Sequence, residues 1–229
     1  MFDVFFISFN ESNQEANWQR VREMHPYAMR IHGVKGIDRV HVACNNLATT
    51  EWFWTVDGDN WLVDPLEWTV TEDADLLMFH AFDPITTVWT KLGGVKLWRT
   101  NSLINTTMDK GDFCLNATKS KLSPKKAFSF TNYNATPYEA WKTSFRHCVK
   151  LMSFIIKGRP LATNVDFYLN HWKACKDLDN GTNNAIWSYK GYEDAAAYVE
   201  QNNHIPENIF MINDYQWLRD YFNKLHHEH

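Results

Sequence analysis

Over the first sixty or so residues, short continuous apolar runs alternate with amphipathic stretches, and this alternation predicts the architecture. Residues 3–9 are apolar at nearly every position, the pattern of a strand buried on both faces of a parallel sheet. The run breaks at Asn10-Glu-Ser-Asn13, where Ser12 or Asn13 can cap a helix continuing through Trp18 to about residue 24. A second short strand is predicted over 27–32, a turn at Gly33-Val-Lys-Gly36, an amphipathic helix over 37–48 and a third strand over 51–56. Strand-helix-strand-helix-strand order points to a parallel α/β sheet with its ligand site at the carboxyl ends of the strands.

Beyond the third strand, further strands are expected over 76–82, 94–100 and 127–133. Pro137 opens a long helix to about residue 156, at a position where its missing N–H is harmless. Tyr138, Trp141, Phe145, Cys148, Val149 and Met152 form its apolar stripe, and Arg146 and Lys150 share a neighbouring face. Shorter helices are expected over 166–175, 192–201 and 214–225. The chain thus reads as a mostly parallel α/β sheet flanked by helices, with a helical C-terminal portion. The expected division is a ligand-binding core over 1–160 and a helical extension over 161–229 packed on it.

Composition changes this picture in three places. Tryptophan occurs 11 times. Trp18, Trp61, Trp89 and Trp141 stand beside polar clusters, so most are expected in the core and a minority on a stacking surface for a sugar or base. The net charge of −4 is unevenly spread: residues 110–160 hold ten Lys/Arg and two acids, a local balance of +8. Such asymmetry suits a face that meets a polyanion, although a solvated basic loop at 119–126 explains it equally well. Cys44, Cys114, Cys148 and Cys175 are widely spaced, which argues against a zinc knuckle and suits a reducing compartment. No secretory signal and no membrane-spanning run is read from the chain, so a cytoplasmic protein, monomeric or a small homo-oligomer, is expected.

The sharpest local feature is Asp57-Gly58-Asp59, which ends the third apolar run. Two carboxylates one residue apart on a tight turn suit a hard divalent cation, Mg²⁺ or Mn²⁺, held by one or two carboxylates plus a substrate diphosphate. The plain alternative is a surface turn, since Asp-Gly is a common turn dipeptide. Asn10, Glu11 and Lys35 fall at neighbouring strand ends, and that convergence favours a site.

A strand-end dicarboxylate on a nucleotide-binding half-sheet resembles the glycosyltransferase-A (GT-A, Rossmann-like) layout. Ile7-Ser-Phe-Asn-Glu-Ser12 is similar to the strand-one loop of family-two-type transferases, and Gly36, Asn45 and Ala48 through Asp59 to the run leading to their metal motif. More closely, the chain resembles a group of phage proteins taken to be glycosyltransferases of hydroxymethylated DNA bases. That resemblance lies in Asn17-Trp18, His32-Gly-Val-Lys-Gly-Ile37 with His41, and Trp54-Thr-Val-Asp-Gly-Asp59. It continues in Gly93-Gly-Val-Lys-Leu97, Asn134-Ala-Thr-Pro-Tyr138 with Trp141, residues 145–151, and Ile212-Asn-Asp214 with Trp217-Leu218. Thr136 and His147 depart from the group, where an acid before the Pro and a Glu after the Arg are usual.

The resemblance implies a UDP-sugar donor and a DNA acceptor, the hydroxymethyl group of 5-hydroxymethylcytosine, with glucose and arabinose both compatible. Asp57 and Asp59 would hold Mn²⁺ or Mg²⁺; Ser8, Asn10 and Glu11 would meet the nucleoside. Lys35, Gly36, His41 and Lys96 would line the donor, with an ordinary core or surface histidine as the favoured alternative for His41; Gly58 would shape the metal turn, and Gly93-Gly94 would let the backbone approach the sugar. Trp141, Arg146 and Lys150 would face the acceptor or its phosphates. An inverting reaction needs a base, for which Asp112 is the first candidate and Asp109 and Glu139 are alternatives. His147 or His171 is a conceivable third metal ligand. Two other readings stay open: the same donor site with a polysaccharide, lipid-linked or protein acceptor, and a non-catalytic nucleic-acid-binding protein.

Overall fold

The computed structural model describes residues 1–87, 89–90, 93–104, 106–107, 113–153, 165–202 and 205–226. They form two compact units, Met1–Asn132 and Tyr133–His229. In chain order the first holds β1 (Asp3–Ser8), α1 (Gln14–Met24), β2 (Met29–His32), α2 (Ile37–Leu47), β3 (Trp52–Asp57), β4 (Asn60–Leu62) and β5 (Leu76–Met78). It continues with β6 (His80–Phe82), β7 (Trp89–Thr90), β8 (Val95–Arg99), α3 (Phe113–Asn116), β9 (Lys121–Leu122) and β10 (Ala127–Thr131).

The main sheet has the order β2-β1-β3-β8-β5-β9. β1 runs parallel to both β2 and β3, and β5 parallel to β9, while β8 is antiparallel to its neighbours β3 and β5. The expected mostly parallel sheet flanked by helices is therefore present. A smaller sheet, β4-β10-β6-β7, was not foreseen. It exists because the single strand expected over 76–82 is two: Leu76–Met78 joins the main sheet and His80–Phe82 the second.

Burial on both faces explains the continuous apolar runs. Val4, Phe6, Trp52, Trp54 and Val56 share a core with Val21 of α1 and with Leu62 and Phe128 of the second sheet. Phe5, Ile7 and Phe53 point the other way, onto Val40 and Cys44 of α2. Each such side chain removed from water contributes roughly 1.5–3 kcal/mol, so β1 and β3 are fixed from both sides and hold their carboxyl ends rigidly.

The second unit is helical among its described residues: α4 (Pro137–Ser153), α5 (Val165–Ala174), α6 (Ala185–Asn202), α7 (Pro206–Phe210), a 3-10 turn (Met211–Asn213) and α8 (Tyr215–His226). Its boundary falls at Asn132/Tyr133, ahead of residue 160, because the apolar stripe of α4 packs with the later helices. Trp141 and Phe145 are fully buried and stacked at 4.5 Å, and Trp141 meets Phe222 of α8 at 5.2 Å. α6 begins before the expected residue 192, running through Gly191, whose sequence signal is that of a helix break. Here the glycine serves a close crossing: a Cβ at 191 would lie 2.1 Å from Ser144 Oγ of α4. No helix among the described residues is long and apolar enough to cross a membrane.

Candidate functional site

β1 and β3 are paired so that Ile7 lies opposite Asp57, which brings the Asn10-Glu11 loop and the Asp57-Gly58-Asp59 turn to the same edge. The turn is anchored from several sides. The fully buried Asn17 donates its side-chain amide to Gly58 O at 2.8 Å, and the Asn132 N–H donates to Asp59 O at 2.7 Å. Glu11 accepts the Phe9 N–H at 2.8 Å, and its carboxylate packs so closely on Gly58 that a Cβ there would lie 2.8 Å from Oε2. The Asp59 carboxylate accepts the Asn60 side-chain amide at 2.8 Å, and Asn60 Oδ1 accepts Ser129 Oγ at 2.8 Å. These polar partners, Asn17, Asn60, Ser129 and Asn132, were not singled out as site residues; the first three are buried and Asn132 half-buried, brought to the turn by tertiary packing that leaves no local sequence signal.

Behind Asp57 stands a charged side chain inside the sheet. Lys96 of β8 pairs with Thr55, and Asp57 lies two residues further along the same face, so the ammonium reaches it diagonally. Lys96 Nζ donates to Asp57 Oδ2 at 2.8 Å, with the lysine side chain 8% and the aspartate 31% exposed. Burial works against the ammonium, but the adjacent Asp57 carboxylate outweighs it and holds the lysine above its ordinary range. Expected at donor phosphates, Lys96 is thus engaged by the first carboxylate of the motif.

His41, expected to line the donor site, is fully buried. Its ring lies 4.9 Å from Trp98 and 5.3 Å from Phe113, Nδ1 donates to Ile37 O at 2.7 Å, and Nε2 has no hydrogen-bond partner. Burial, reinforced by the Lys96 charge, pulls its pKa down to about 4, so the ring is neutral. It is a core residue of the α2 interface rather than a ligand contact.

The glycines expected to approach the sugar have packing reasons of their own. A Cβ at Gly93 would collide with Phe79 O at 1.9 Å, and one at Gly94 would lie 2.2 Å from Asn60 Nδ2 and 2.8 Å from Asp57 Cβ. Ser8 is buried, its hydroxyl bonded to His32 Nδ1 at 3.0 Å and to Arg30 Nε at 2.9 Å. Asn10 and Lys35 are exposed, and Gly36 caps α2 at a φ of 108°.

The other expected residues lie in the second unit or outside the described residues. Trp141 donates its indole N–H to Asp194 at 2.7 Å inside the unit, which corrects its expected acceptor-facing role. Arg146 Nε donates to Ile212 O at 2.8 Å with its guanidinium 5.0 Å over Tyr215; Lys150 is half-buried on the same helix. Glu139 is buried in a capping box with Thr136, whose hydroxyl accepts the Glu139 N–H at 3.2 Å. His147 accepts the Trp172 indole N–H at 3.0 Å, and His171 lies on α5. Asp112 and Asp109 lie outside the described residues, as do Lys110, Lys157 and Arg159 of the basic segment, which spans both units.

A divalent cation fits the carboxylate turn. Asp57 Oδ1 is buried without a hydrogen-bond partner, an orphaned acceptor of the kind a cation satisfies. Among the described residues no cluster of three or more His, Cys, Asp or Glu forms a complete cage. Two carboxylates completed by phosphate oxygens and water remain an ordinary donor set for Mg²⁺ or Mn²⁺.

No protein-family model matches the chain, and no curated protein sequence does. Solved structures that the chain is similar to include a glycosyltransferase, a mannosyltransferase and TarS. One is involved in glycosylation of the major capsid of PBCV-1, with 13% identity over 44% of this chain and 61% of that one (under two-thirds of its length) at a TM-score of 0.30. Another is the mannosyltransferase PcManGT of Pyrobaculum calidifontis in complex with GDP-Man and Mn²⁺, with 11% identity over 100% and 88% at 0.45. A third is TarS of S. aureus, with 10% identity over 97% and 92% at 0.34. All three fall below 0.5, and the chemistry of the site stands on its own residues.

Proposed function

We propose that this chain is a metal-dependent glycosyltransferase of the GT-A type that moves glucose or arabinose from a UDP-sugar to the hydroxymethyl group of 5-hydroxymethylcytosine in phage DNA. The observation that carries the reading is the pairing of Asp57 and Asp59 on one anchored turn at the carboxyl end of β3, with an orphaned Asp57 oxygen. Asn10 and Lys35 are exposed and Glu11 adjoins the turn; in this reading Asn10 and Glu11 would meet the nucleoside and Lys35 its phosphates. Asp57 and Asp59 would hold the cation, which supplies charge neutralisation on the departing UDP. In transfer, the acceptor oxygen forms a bond to the anomeric carbon while the bond to the diphosphate breaks with its electron pair. In the inverting form of the reaction the hydroxyl proton passes to a carboxylate, for which Asp112 is proposed. Arg146, Lys150 and the other cations of residues 110–160 would gather acceptor phosphates, making binding strongly salt-dependent.

The test is transfer with Mn²⁺ from UDP-glucose and UDP-arabinose to hydroxymethylcytosine DNA and to unmodified DNA, read by mass. A sugar-sized gain on the modified base, lost with EDTA and with Asp59→Asn, supports donor, metal and acceptor together. UDP release without transfer keeps the donor site and sends the acceptor to another glycan, lipid or protein. Absence of release from either donor by the folded protein sinks the UDP-glucose and UDP-arabinose reading.

A further inference from the structure

Lys96 is a buried cation built into a site that needs negative charge. We propose that it makes divalent-cation binding at Asp57 and Asp59 conditional on a nucleoside diphosphate; the inference rests on the donor-site reading above. Its ammonium commits Asp57 Oδ2 at 2.8 Å, leaving Oδ1 as the oxygen without a partner. The ammonium is held in place: Lys96 sits mid-ladder opposite Thr55, between Val95 and Leu97, and is buried. Glu11, the other acid packed on the turn, is occupied by the Phe9 amide, and His41 on the adjoining helix is neutral.

The charge balance sets the consequence. The two motif carboxylates, Glu11 packed on the same turn and Lys96 sum to two negative charges, where the three carboxylates alone would bring three against the two positive charges of the cation. Across the width of one carboxylate, ammonium–cation repulsion is worth on the order of tenfold in affinity even at the dielectric of water. Diphosphate oxygens restore the negative charge that Lys96 cancels. The protein without nucleotide should therefore hold the cation weakly, and the cation should arrive with the donor. Lys96 acts here as a positioning residue, through Asp57.

The experiment is a titration of full-length protein with Mn²⁺, following the free ion by electron paramagnetic resonance, with and without UDP. Wild type is compared with Lys96→Met, Lys96→Gln and Lys96→Arg, each first checked for folding by circular dichroism. Without UDP, Lys96→Met and Lys96→Gln are expected to bind Mn²⁺ about tenfold tighter than wild type, and Lys96→Arg to match it. UDP should tighten wild type by about tenfold and the neutral variants far less. Equal affinities for wild type and the neutral variants without UDP overturn the inference alone, since the donor site survives if Asp57→Asn with Asp59→Asn abolishes binding. Mn²⁺ binding that the double aspartate variant does not weaken overturns both the inference and the metal site.

Discussion

Lowering the pH should destabilise the first unit through His41, and replacing that one side chain should remove a defined part of the loss. The ring is fully buried, gives Nδ1 to Ile37 O, and leaves Nε2 facing an environment without an acceptor. A proton on Nε2 would have to sit against Trp98, Phe113 and the Lys96 charge. Its pKa is therefore about 4 when folded against 6.5 as a free side chain. The unfolded state binds the proton more readily, so the stability is fully present above pH 6.5 and is lost as pH falls from there towards 4. The whole window is worth on the order of 3 kcal/mol, less than half of it gone by pH 5.5 and most of it by pH 4.5. The assay is urea unfolding at pH 7.5, 6.5, 5.5 and 4.5 for wild type and His41→Phe, taking the difference between their pH profiles so that the carboxylates common to both cancel. A wild-type profile parallel to that of His41→Phe between pH 6.5 and 4.5 would refute the reasoning, because it would mean that the ring is solvated or already paired.

Three further outcomes follow from the same geometry. Asp57→Asn and Asp59→Asn should each lower Mn²⁺-dependent UDP release by about a hundredfold, with far-ultraviolet circular dichroism unchanged; a variant turning over at the wild-type rate removes its carboxylate from the donor site. Gly94→Ala places a methyl against Asn60 and Asp57 Cβ and should cost about 1–3 kcal/mol in urea unfolding while weakening Mn²⁺ retention in the presence of UDP. Trp141→Ala should destabilise the second unit by about 3–5 kcal/mol, read as a lowered thermal midpoint; loss of acceptor binding at unchanged stability would instead restore Trp141 to the acceptor face.

The parts of the fold legible in the sequence are those whose burial is local and periodic. β1 and β3 are covered on both faces, so their apolar runs are unbroken, and α2 carries a stripe ending in Val40 and Cys44 against the sheet. The second sheet has no such signature. β4 and β6 have three residues each and β7 two, too few to establish a period, and what defines them is pairing of β4 and β6 with β10 and of β7 with β6. Residues 76–82 show the difference most clearly. They are apolar but for His80, yet the chain changes sheets at Phe79, whose carbonyl is the atom that excludes a side chain at Gly93. That switch is a tertiary event, and one polar residue in the run does not distinguish it from a single half-buried strand.

The site divides along the same line, and Lys96 shows where a stricter physical reading reaches further. The two aspartates were legible because adjacent carboxylates at a strand end carry their chemistry in their spacing. The partner of Asp57 lies 39 residues away and is fixed by ladder register, which no local pattern encodes. A clue was nevertheless present. Lys96 sits between Val95 and Leu97 in a run that ends in Trp98, so a strand there buries the lysine along with its neighbours. An ammonium out of water requires an opposite charge at the same depth, and strand-end carboxylates are the natural supply on a sheet whose other positions are aromatic and aliphatic. The burial demanded by the apolar run and the charge demanded by the lysine therefore point jointly at the Asp57 turn, and a reading that treats Lys96 as a free hand for phosphates satisfies the second requirement while violating the first.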